Sequence, residues 1–147
     1  MTLPVPEKML DDCFVTLGKR GAGKSNIRQV ILEHSLDTGR RTVLVDIKGD
    51  SYGIRMKPDG TPSRFNIPIL GGRHGDVPIH SEQGSDLGGL VAKHNLSCII
   101  DLSDMHTEDQ RRFMYGFAKD LLFHNRTASY GERSGNYHRE NGRNAQN

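Results

Sequence analysis

Short apolar runs and stretches of helical period alternate along the chain. Cys13-Phe14-Val15-Thr16-Leu17 is β-prone and stops at Gly18, with Gly21 and Gly23 close behind, so it reads as a strand running into a glycine-rich turn. From Ser25 the period changes. Ile27, Val30, Ile31, Leu32 and Leu36 share one helical face, with Asn26, Arg28, Gln29 and Glu33 mostly opposite. Gly39 marks the expected end of that helix, because glycine takes the left-handed C′ conformation without strain. Thr42–Ile47 is a second predicted strand, with little alternation, as expected when both faces are buried. Pro58-Asp59-Gly60 signals a turn. Phe65–Leu70 is strand-like, but Pro68 confines it to an edge or a bulge. After a loop holding Gly71, Gly72 and Gly75, Asp86–His94 reads as a short helix carrying Leu87, Leu90 and Val91. Ser97–Leu102 is the third clear strand. Thr107-Glu108-Asp109-Gln110 fits a capping box opening a longer helix, whose stripe is Phe113, Met114, Phe117, Leu121 and Leu122. Strands alternating with helices imply an α/β fold on a mostly parallel sheet.

Composition divides this pattern in two. Apolar residues are 34% of the 147, against roughly 45–50% in soluble domains when Gly is counted too. The net charge of +2 falls in the last stretch, where Arg126, Arg133, Arg139 and Arg143 oppose only Glu132 and Glu140. That stretch holds only Ala128, Tyr130, Tyr137 and Ala145 as apolar residues, so it cannot build a core. The expected organisation is a globular domain over 1–123 and a polar, disordered tail over 124–147. No apolar run approaches the ~20 residues of a membrane span, and Met1–Pro6, with two prolines and no apolar h-region after it, is not expected to act as a signal peptide. Cys13 and Cys98 both sit in apolar runs, which predicts buried, reduced thiols and a cytoplasmic setting.

Gly18-Lys19-Arg20-Gly21-Ala22-Gly23-Lys24-Ser25 fits G-x-x-x-x-G-K-[ST], the phosphate-binding loop. Glycines let the chain wrap closely and turn successive N–H groups toward an anion. The helix that follows presents its positive end to the same phosphates. Lys24 can reach the β and γ phosphates of ATP, and the Ser25 hydroxyl can hold the Mg²⁺ that bridges them. An apolar strand before and an amphipathic helix after supply the required context. Two other users of this loop fit less well. Asp46-Ile47-Lys48-Gly49 matches the D-x-x-G of GTPases, yet it lies only ~20 residues past the loop, with no N-K-x-D to read a base. Small-molecule kinases need an Arg-rich lid, and the basic residues here are scattered until the tail.

From about Phe14 to Leu122 the chain resembles the HerA/FtsK-type P-loop ATPases, in particular the HerA-like helicase central domain. The likeness rests on Gly18–Asn26, on Val43–Arg55 (VLVDIKGDSYGIR), on Gly71–Ile79 (GGRHGDVPI), and on Ile99–Ser103 with the helix after it. It implies a RecA/ASCE-like fold that couples ATP hydrolysis to movement along duplex DNA, in a homo-oligomeric, commonly hexameric, ring. It also implies nucleotide contacts from Gly18, Lys19, Arg20, Gly21, Ala22, Gly23, Lys24, Ser25 and Asn26. The likeness covers roughly the first half of such an ATPase core. The family's Walker B Asp-Glu pair, sensor and arginine finger have no counterpart in the chain, so a truncated core that binds ATP and hydrolyses it weakly or not at all is the expectation.

Candidate catalytic carboxylates are Asp46, Asp50 and Asp101, all at the ends of predicted strands, where ligands collect in such sheets. Asp101 is followed by Leu102 where a Walker B pair would place Glu, and the family alignment puts it on the preceding strand. The ordinary reading of all three is turn capping. His34, His74, His80, His94, His106, His124 and His138 show no pair at metal-ligand spacing. Arg73 and His74 could touch DNA or a neighbouring subunit, or simply lie in a solvated loop. Two function classes follow: a motor-type DNA translocase or helicase subunit, and a non-catalytic nucleotide-binding module.

Overall fold

Helix α1 (Lys24–Asp37) starts where the glycine run ends and stops at the predicted glycine. Its end has two crossed backbone bonds, Arg40 N–H to the Ser35 carbonyl at 3.0 Å and Gly39 N–H to the Leu36 carbonyl at 3.1 Å. This pattern requires a left-handed residue, and Gly39 supplies it at φ +70°. The computed structural model describes residues 19, 21 and 23–124. The predicted strand Cys13–Leu17, Gly18, Arg20, Ala22 and the segment 125–147 lie outside the described residues.

Strands β1 (Val43–Asp46), β2 (Ile69–Leu70) and β3 (Cys98–Asp101) form a parallel sheet in the order β1-β3-β2. The register pairs Val43 with Cys98 and Asp46 with Asp101 on one side of β3, and Ile69 with Ile99 on the other. Continuous apolarity means burial on both faces only in the central strand: every residue of β3 is buried, whereas Val43, Leu44 and Val45 are half-buried. Pro68 acts as predicted for an edge. It ends the irregular approach to β2, and its carbonyl takes the Ile99 N–H at 2.9 Å. The core joins Leu32 of α1 to Ile54, Ile67, Ile69 and Ile99, with Leu36, Leu44, Tyr52 and Phe65 packed against it. The apolar face of α1 is narrower than its periodicity predicts, since only Leu32 and Ser35 are fully buried. Cys98 is a free, buried thiol, and burial pushes its pKa up to about 11, so it is poorly nucleophilic at neutral pH.

The chain divides into two compact units. Among the described residues, one holds those up to Ile79 together with Leu96–Asp104, and the other holds His80–Asn95 together with residues 105–124. The second unit pairs α2 (Gly84–His94) with a helix α3 that covers residues 107–124. A Cβ on Gly84 would collide with the Phe113 carbonyl, and one on Gly88 with the Phe117 carbonyl. The constant offset means that the two helices run parallel with their backbones in contact. Phe113 and Phe117 are buried there, with near-parallel rings 6.0 Å apart. The helix start differs from the predicted capping box. Thr107 is already helical, and the Gln110 side chain donates to the Met105 carbonyl at 3.1 Å, which takes it away from the cap.

In the first unit, Arg55 clamps the loop after β2. Its guanidinium pairs with both oxygens of Asp76, and its Nε donates to the Ile67 carbonyl at 2.8 Å. The Arg55 hydrogen bonds, helped by the Ile69 N–H, hold the Asp76 carboxyl at about 2 against an ordinary 3.8. A depressed carboxylate stabilises the fold above its unfolded pKa and loses that contribution as pH falls through its folded pKa. The expected result for Asp76→Asn is a lower melting temperature at neutral pH. The gap to the unaltered chain should close as pH drops from 3.8 toward 2, which thermal melts across that range would measure.

Candidate functional site

Gly23 caps α1 in the left-handed conformation, at φ +82°, and Gly21 has φ +83°. No side chain caps the helix and no acidic residue lies in its first turn, so its N-terminal end keeps its positive character. A cavity of about 310 Å³ opens there, lined by Gly21, Gly23, Lys24, Ser25, Asn26 and Lys48. Of the predicted phosphate-loop residues, five are therefore brought together around one space. Lys19 is described but does not line it, although its carbonyl accepts a hydrogen bond from Lys24 Nζ at 2.7 Å.

Lys48, from the turn after β1, lines the same cavity, and Asp46 at the end of β1 holds that turn. Asp46 is buried, with 1% of its surface exposed. Its Oδ1 accepts the Lys48 N–H at 3.0 Å and its Oδ2 the Ser51 N–H at 2.7 Å. Arg28, one turn into α1, reaches Asp46 Oδ1 at 3.6 Å and pairs with Asp50. Burial pushes the Asp46 carboxyl up, but hydrogen bonding at Ser51, the Lys48 N–H and the Arg28 charge outweigh it, so its pKa lies below the ordinary value. An ionised Asp46 thus ties the first helix to the turn that carries Lys48.

The three candidate carboxylates differ in environment. Asp50 is about half-exposed and paired with Arg28. Asp46 and Asp101 are register partners at the ends of adjacent strands, and both are buried. Asp101 Oδ1 accepts the Ser103 N–H at 2.9 Å. The chain of Gly72, at φ +65°, lies so close to the Asp101 carboxylate that any Cβ there would overlap it. Gly49 also approaches, and a Cβ there would meet Ser103 Oγ at 2.6 Å and Asp101 Oδ2 at 3.3 Å. Asp101 is therefore a turn-building carboxylate wrapped by two glycine turns. Arg73 is exposed, and the exposed His74 ring stacks on Tyr52 at 3.9 Å.

Sequence reasoning did not single out Lys48, which lines the cavity, or Arg28, which pairs with Asp46 and Asp50. The available signal is the D-x-K-x-D spacing of Asp46, Lys48 and Asp50 at the end of β1. Among the described residues, no group of three or more His, Cys, Asp or Glu could hold a metal, and no helix is long and apolar enough to cross a membrane. No family model matches the chain, and no curated protein or solved structure matches it significantly.

Proposed function

We propose that the chain binds Mg²⁺–ATP through residues 18–26, as a P-loop ATPase domain of the RecA/ASCE-like, HerA/FtsK type. The observation that carries the reading is the cavity at the uncapped N-terminus of α1. Loop glycines in left-handed conformation, Lys24 and Ser25 all face it, in a sequence that fits the phosphate-loop pattern. The residues suit the ligand. Backbone N–H groups and Lys24 would take the phosphates, and Ser25 would take Mg²⁺, an ion that needs few protein ligands when phosphates supply the rest. Mg²⁺ held there would supply neutralisation of the phosphate charge.

Work on duplex DNA in a homo-oligomeric ring is the fuller form of this proposal, and it rests on the sequence resemblance. A non-catalytic nucleotide-binding module is the second reading. It is favoured by Asp101, which is occupied by the Ser103 N–H and packed against Gly72. Calorimetric titration with Mg²⁺–ATP, followed by turnover assays with and without duplex DNA, separates the readings. Lys24→Ala is expected to weaken ATP binding about 100-fold, the cost of removing a charge-assisted contact. DNA-stimulated turnover supports the motor, and binding without turnover supports the module. Equal affinity in both forms of the protein would sink the site assignment.

A further inference from the structure

We infer that Lys48 is a second phosphate-binding cation of this site, selecting ligands by the charge of their phosphate chain. The inference rests on the reading of residues 18–26 as a nucleotide site and adds a residue that the loop motif does not contain. Lys48 comes from the turn after β1, twenty-four residues beyond Lys24, yet it lines the same cavity of about 310 Å³.

Charge bookkeeping around the turn explains why Lys48 faces a ligand. Acidic residues stand two positions to either side, Asp46 and Asp50, and each could neutralise it. Both are engaged by Arg28, and Asp46 also by the N–H groups of Lys48 and Ser51. Among the described residues no carboxylate pairs with the Lys48 ammonium, whereas Arg28, Arg55, Arg64 and Arg112 each have an acidic partner. Two ammonium groups on a cavity at a helix N-terminus make a strongly positive space. The chemical class that fits is a linear polyphosphate, with the number of negative charges setting the gain.

The backbone supports this placement. The Lys48 N–H is held by the buried Asp46 carboxylate at 3.0 Å, so the lysine stem starts from a fixed point even though its head is exposed. An exposed lysine can be replaced with little risk to folding, so the effect of its loss is readable.

The test is calorimetry on the full chain with two probes, Mg²⁺–ATP and Mg²⁺–tripolyphosphate, for the unaltered protein, Lys24→Ala, Lys48→Ala and Lys48→Arg. Lys48→Ala is expected to weaken both probes by about tenfold, with Lys48→Arg keeping most of the affinity. If Lys24→Ala loses binding while Lys48→Ala matches the unaltered chain, the Lys48 assignment falls and the nucleotide site stands. If ATP weakens but tripolyphosphate does not, Lys48 touches the nucleoside and the phosphate assignment is overturned. If the unaltered chain binds neither probe, the site reading and the inference fail together.

Discussion

Replacing Asp46 with alanine is expected to destabilise the first unit by about 3 kcal/mol, within the range for breaking a buried ionic and hydrogen-bonded group. The variant would orphan the N–H groups of Lys48 and Ser51 and remove one partner of Arg28. It would also free the turn that positions Lys48, so polyphosphate affinity should fall even at temperatures where the protein stays folded. Urea unfolding reads the first effect and calorimetry at low temperature the second. Asp46→Asn keeps an acceptor but no charge and should fall between the two. An Asp46→Ala midpoint equal to that of the unaltered chain would mean that this carboxylate does not organise the turn.

Gly88→Val should cost 3 kcal/mol or more in the second unit, at the upper end of overpacking penalties of about 1–3 kcal/mol. The clash is with the Phe117 carbonyl, an atom of a helix backbone that cannot rotate away, and α2 and α3 would have to separate to relieve it. Gly89→Ala is the internal control. Its Cβ would meet only the edge of His124, at 3.3 Å, so the gain in helix propensity of roughly 1 kcal/mol over glycine should dominate. Thermal melts of the two variants should therefore move in opposite directions. A neutral Gly88→Val would contradict the close backbone approach.

Local elements were readable wherever a single residue enforces them. Gly39 ended the first helix, Pro68 limited β2 to a short edge, and the run Cys98–Asp101 proved to be the buried centre of the sheet. What escaped were relations between distant segments. The Thr107 capping box failed because helix α3 begins one step earlier, where Gln110 finds a carbonyl that spacing alone does not predict. The glycines of α2 read as weak helix formers, and their use is visible only against the α3 backbone. The motif already groups Gly21, Gly23, Lys24 and Ser25, which line one cavity. The placement of Lys48 and Arg28 is not legible there, because it depends on which side of β1 meets α1 and on how Asp46 is shared between them.

The strand order has a consequence for how the protein is made. β1 and β2 do not pair with each other; among the three described strands each pairs with β3, about fifty-five and thirty residues further along the chain, and β2 also bridges locally from Leu70 to Val77. Among the described residues, no hairpin joins these three strands. On a ribosome, β1 and β2 both wait for β3 before this sheet can close, and until then Ile69 has only the local bonds to residues 76–77 and its neighbours Leu32, Ile54 and Ile67 to shelter it. Closure of long loops before any sheet bond forms also places the molecule among the slower small folders, in the millisecond range or beyond. The interval before β3 emerges is when the nascent chain is most exposed to aggregation, and chaperone dependence in cells should track the rate at which residues 70–98 are translated.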